Sequence, residues 1–240
     1  MHIYAFGRFS LLKDGVLLRF THKAPKKPIS LLKALIALGG RDVSSHQLTD
    51  ALWPDEPGDA AHHVLAVNVH RLRRLLGAAD GVIVRDGRMS LDPRVCWVDV
   101  WTFQRLLGDA ALAPHSERAA LLERGVGLYR GVFLPGDADE PWSLAMRERL
   151  RRAFIRLCAE LGRLHEESGR WGEAIECYQR AIESEELAEE FYQGLMRCYA
   201  HLGRRAEGVC VYRRLRQMLS VILGITVSPA TEELLRELLS

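Results

Sequence analysis

A chain of 240 residues, 48% hydrophobic and 27% charged, can bury a core and has room for two domains; this composition excludes a disordered or low-complexity segment. Its five cysteines (Cys96, Cys158, Cys177, Cys198, Cys210) are odd in number and form no C-x-x-C pair, which argues against a disulfide framework or a metal site and for reduced thiols. MHIYAFGRFSLLKDG lacks the apolar run of a signal peptide, and no stretch approaches the ~20 apolar residues of a membrane span, so a cytoplasmic protein is expected.

The net charge of +2 hides an asymmetry: residues 1–105 carry 15 Lys and Arg against 10 Asp and Glu, and the remainder 18 against 21. A phosphate backbone is attracted to the first part and not to the second. In chain order, residues 3–20 alternate loosely around a Lys13-Asp14-Gly15 turn and predict a small antiparallel sheet. The basic linker HKAPKKP follows, with Lys23, Lys26 and Lys27 within reach of phosphates or free in solvent. Pro28 suits the first turn of a helix over ISLLKALIAL, stopped at Gly39-Gly40. A second helix is expected over 45–52, capped by Ser44 or Ser45. Pro54 and Pro57 then impose a loop.

Residues 59–76 contain no helix breaker between Asp59, a candidate N-cap, and Gly77. At about 100° per residue, Val67, His70, Arg71, Arg73 and Arg74 fall within about 80° of His63. Leu65, Val69, Leu72 and Leu76 cluster on the opposite side, and Asn68 lies off the stripe. A basic face is most often only a solvated face. Here the stripe carries no acidic residue and includes the apolar Val67, which suits contact with a thymine methyl. VIVRDGRMSLD then predicts a hairpin around Asp86-Gly87, with Arg85 and Arg88 beside the turn. Sheet, helices, long helix and hairpin make a winged helix-turn-helix.

Beyond about residue 101 the pattern is helical. Offset by 34 residues, Leu161 matches Leu195, Gly169-Arg170 matches Gly203-Arg204, Glu173 matches Glu207 and Tyr178 matches Tyr212. That is the tetratricopeptide period, and at least two helix pairs are expected, with a less regular unit before them. The aromatic residues from Trp142 to Tyr212 read as core at this spacing. The fold class is therefore mainly α with a small β component: a winged-helix domain over 1–97 and an all-α, tetratricopeptide-like domain over 98–240.

The run 31–91, with LTDALWP, VNVHRLRRLLG and VRDGRMSLD, resembles the winged-helix domain of two-component response regulators as reused in antibiotic-pathway regulators of the SARP type. The remainder, with YRGVFLPG, DEPW, RERLRR, GRWGEAIECY, GRRAEGVCVY and LGITVSP, resembles the bacterial transcriptional activator domain. The resemblance implies a DNA-binding transcription regulator, an activator by type, binding direct repeats as a homodimer. It places base reading on Val67 and Arg71, phosphate contacts on His63, Asn68, His70 and Arg73, and a minor-groove wing contact on Arg85. Arg74 and Arg88 join them as stripe and wing-turn cations. His63 and His70 stand where arginine is common, so these contacts would strengthen on protonation.

No cofactor or catalytic residue is implied: His62-His63 lacks the i, i+4 spacing of a zinc helix, and no nucleophile turn or phosphate-binding glycine loop is present. Asp137, Asp139 and Glu140 lie in a Pro/Gly-flanked connection. RNA polymerase or a regulatory protein is the partner class expected for the helical part. The alternative is an interaction scaffold that does not bind DNA, or a regulatory fragment of a larger ATPase-type regulator.

Overall fold

The computed structural model describes residues 1–18 and 25–240. Lys23 and the end of the expected 3–20 sheet lie outside the described residues. The chain divides into two compact units, one of residues 1–105 with 128–150 and the other of 106–127 with 151–240.

The first unit opens with β1 (His2–Tyr4), β2 (Ser10–Lys13) and β3 (Val16–Leu17). Asp14 (φ 51°) and Gly15 (φ 80°) form the predicted turn, and Lys13 pairs with Val16. The sheet is not purely antiparallel as expected. A strand near residue 97, which sequence did not indicate, adds to β1 in parallel and gives a four-stranded order in which β1 lies inside.

Helix α1 (Lys26–Ala37) buries Leu31, Leu32, Leu35 and Ile36, and its neighbour β4 (Val43–Ser44) leads into α2 (Ser45–Leu52). Ser44 and Gln47 form a reciprocal capping box at the start of α2. Helix α3 (Gly58–Leu76) begins one residue before the expected cap, because Pro57 itself occupies the N-cap position and its carbonyl accepts from Ala61 N–H at 2.8 Å. It is followed by β5 (Val82–Arg85), β6 (Arg88–Leu91) and β7 (Trp97–Val98), the parallel partner of β1. Strands β4, β6 and β5 make the second sheet.

Buried Asp99, at the start of α4 (Asp99–Leu112), accepts from Ala5 N–H at 2.9 Å, Phe6 N–H at 3.0 Å and Val100 N–H at 2.8 Å. Burial pushes this carboxyl up, and the backbone donors pull it partly back. Phe6 also meets Phe103 and Tyr129, which draws residues 128–150 into this unit. Arg147 holds the connection there through the carbonyls of Phe133, Leu134, Asp137 and Ala138. Asp137 pairs with Lys33 at 2.7 Å.

The second unit is a helical repeat. It contains most of α5 (His115–Leu128) and of α6 (Pro141–Glu167), then α7 (Trp171–Ser184), α8 (Glu189–His201), α9 (Arg205–Met218) and α10 (Pro229–Leu239). The 34-residue period is visible atom by atom. Gly169 and Gly203 take φ of 68° and 69°, and the next amides, of Arg170 and Arg204, each donate at 2.8 Å to the carbonyl five residues back, of His165 and Tyr199. Only glycine adopts that left-handed step without strain, so the two helix breaks recur in the same form. Tyr178, Phe191, Tyr192, Tyr199 and Tyr212 are buried, as the core reading expects. Half-buried Trp171 stacks on the exposed His201 ring, 4.0 Å between centroids.

Candidate nucleic-acid interface

The sequence of α3 determines which of its faces is free. Ala61, Leu65, Val69, Leu72 and Leu76 are buried, and the helix lies against α1 and α2 through them. Burying such a row of side chains stabilises the helix by roughly 1.5–3 kcal/mol per large apolar residue, so the helix cannot turn its basic face inward. Opposite the row, His63, His70, Arg71 and Arg74 are exposed and Val67 is half-buried among them. The structure therefore brings these predicted residues together on one open arc. Among the described residues, Arg71 and Arg74 meet no carboxylate.

Two predicted residues are placed differently. Asn68 is 2% exposed, its amide donates to the Val64 carbonyl at 2.8 Å, and its Oδ1 has no partner. It lies on the shoulder of the packed row, where its amide bonds within α3 and is not on the open arc. Arg73 is half-buried, and its Nε and Nη2 both donate to the Val82 carbonyl, at 3.0 and 2.7 Å. Its fork fixes the first residue of the hairpin to the helix, and only the remaining N–H groups face outward.

That hairpin is the wing. Asp86 (φ 47°) and Gly87 (φ 69°) form a tight turn, with Arg85 paired opposite Arg88. Two hydrogen bonds hold the turn in place: Ser45 N–H, at the start of α2, donates to the Gly87 carbonyl at 2.8 Å, and Arg88 Nη1 donates to the carbonyl of Asp42, just before β4, at 3.0 Å. Arg85 is exposed and, among the described residues, has no carboxylate partner. Between α3 and the wing runs a cleft of about 340 Å³ lined in part by His62, Ala66, Arg73 and Val84. His62 and Ala66, which the sequence-derived stripe does not include, are exposed on the same arc. The signal was their angle, about 60° to 100° from His63 on the Arg73 side.

A helix with a buried apolar back, an open cationic front and a positively charged hairpin fixed beside it can lie against a phosphate-lined groove. The model of the bacterial transcriptional activator domain matches residues 98–239, and that of "Transcriptional regulatory protein, C terminal" matches residues 22–86. The chain belongs to the bacterial transcriptional activator domain family. Within that family it is a regulator of the SARP type.

Among members of this kind, the regulatory protein AfsR of Streptomyces griseus is 27% identical over 88% of this chain, which covers 22% of AfsR. The transcriptional regulator RedD of Streptomyces coelicolor is 28% identical over 82% of this chain and 59% of its own length. The chain thus spans about a fifth of the AfsR proteins and under two thirds of RedD. In structure it is similar to Mycobacterium tuberculosis EmbR, solved in complex with a low-affinity phosphopeptide, with a TM-score of 0.74 and 20% identity over 99% of this chain and 64% of that one. The likeness to EmbR gives the same fold, a winged helix followed by a helical repeat. Among the described residues of this family member, no group of three or more His, Cys, Asp or Glu is placed to hold a metal, and no helix is long and apolar enough to cross a membrane.

Proposed function

We propose that this SARP-type chain is a sequence-specific DNA-binding transcription regulator that lays α3 in the major groove and the wing in the adjacent minor groove. The observation that carries this reading is the open arc of α3, whose cations have no carboxylate partner among the described residues, while the wing is hydrogen-bonded into place beside it. Val67 and Arg71 read bases, Val67 by apolar contact and Arg71 by its bidentate fork. His63, His70 and Arg74 meet phosphates. Arg73 acts chiefly by holding the wing, which presents Arg85 and Arg88 to the minor groove.

The helical repeat, with a functional boundary near residues 97 and 98, modulates this activity through a protein partner, either RNA polymerase or a regulatory protein. Two copies bind a direct repeat head to tail. Selection of bound duplexes from a random pool tests the proposal. A direct repeat should be enriched, and Arg71→Ala should lower affinity for it by about 1–3 kcal/mol and relax the preference at one base pair. A chain with no enrichment and no salt-dependent retention on duplex DNA would instead be an interaction scaffold.

A further inference from the structure

Clefts run along both flanks of α3. One separates it from the wing. The other, of about 630 Å³, lies between α3 and the start of α1, and its polar lining consists of Lys26, Lys27, Arg71 and Arg74. All four side chains are exposed, and among the described residues none meets a carboxylate. Pro28 and Leu75 supply part of its apolar lining. Four like charges around one cleft repel one another, and Arg71 and Arg74, three residues apart on a helix, destabilise it slightly. Such an arrangement becomes favourable when a polyanion occupies the cleft.

The dimensions indicate which polyanion. An α-helix with its side chains is about 10–12 Å across, close to the ~12 Å width of the B-DNA major groove. A helix seated there has a phosphate strand along each side. Arg73 and the wing mark one side of α3. Arg71 lies on the other, about 160° from Arg73 around the helix axis.

We infer that the cleft between α1 and α3 receives the duplex phosphate backbone on the flank away from the wing, with Lys26 and Lys27 each meeting one phosphate. This rests on the reading of α3 as the recognition helix. It adds a second element, α1, to the contact surface. Because Lys26 and Lys27 touch no base, their contribution is the same on every sequence.

The test uses the full chain carrying K26Q and K27Q together, on a selected duplex and on an unrelated one. The slope of log affinity against log salt should flatten by about 1.8, at about 0.9 per phosphate. Affinity for the two duplexes should fall by the same factor, and the order of base preferences should stay. A hydroxyl-radical footprint should lose protection only on the backbone segment opposite the wing side, and K26R with K27R should restore it. A variant with the wild-type slope and footprint overturns this contact and leaves the function standing. A wild-type chain without salt-dependent retention overturns both.

Discussion

In the helical repeat, four arginines end on carboxylates: Arg197 on Glu166 at 3.0 Å, Arg170 on Glu123 at 3.0 Å, Arg204 on Glu207 at 2.9 Å and Arg118 on Glu160 at 3.6 Å. On α3 and the wing, Arg71, Arg74 and Arg85 end in solvent. The residue type is the same and the electrostatic use is opposite. Paired arginines leave little field beyond the surface, and exposed pairs add little stability. Uncompensated ones destabilise the folded chain slightly through mutual repulsion and keep a field for a partner. The net charge of +2 averages over both. What separates the regions is the presence of a carboxylate within reach.

The contrast can be tested first where pairing is deepest. Glu166 accepts both bonds of the Arg197 fork, at 3.0 and 3.1 Å, and a bond from the Tyr178 hydroxyl. Tyr178 is fitted closely between Gly162 and Gly194, and burial, reinforced by Glu166, pushes its hydroxyl above the usual range. Glu166→Ala should destabilise the repeat by about 2–3 kcal/mol, since two donors lose their acceptor together. Denaturant unfolding followed by circular dichroism measures this loss. Affinity for DNA at a temperature where the variant is folded should not change; a parallel loss of both would mean that the two regions do not divide the labour as described.

Arg73 stands between the two uses. Its fork to the Val82 carbonyl is structural, yet it flanks the open arc. Arg73→Lys keeps the charge and loses the fork, and should lower stability by about 1 kcal/mol. The salt slope should hold, and discrimination at the minor-groove positions under the wing should blur. If the charge-removing Arg73→Gln flattens the slope by about 0.9, Arg73 spends its charge on a phosphate like the stripe residues.

These differences explain what could be read in the sequence. The α3 row, the Asp86-Gly87 turn and the 34-residue repeat were legible because each rests on periodicity or on local turn chemistry. The parallel pairing of β7 with β1 was not: two residues carry no period, and their partner is some 95 positions away. Nor was the Arg73 fork, which joins a helix to a strand across an intervening turn. Asn68 is instructive in a different way. Its wheel angle points away from the stripe and matches its burial, whereas the DNA contact comes from resemblance to relatives alone. His62 and Ala66 lie at the edge of the arc, beside the packed row, where the wheel angle alone does not separate exposed from buried.

The smallest expected effect concerns pH, and it should be confined to the helical repeat. His165 is 3% exposed at the end of α6, with its Nε2 at 3.8 Å from Glu123 and its Nδ1 without a partner among the described residues. Burial first, then the Arg170 guanidinium, depresses its pKa; Glu123, Glu173 and Glu176 raise it in part. A histidine depressed in the folded state is protonated first in the unfolded chain. Its contribution to stability is therefore intact at neutral pH and is lost as pH falls from about 6.5, the ordinary imidazole value, through the lower folded-state value. Melting temperature should drop between pH 7.5 and 5.5, and His165→Gln should flatten that dependence. Duplex affinity, measured across the same interval at a temperature where the chain stays folded, should not follow this loss of stability. If stability and affinity fell together on acidification, with both responses traced to His165, the helical repeat would be controlling the DNA-binding surface through its own folding.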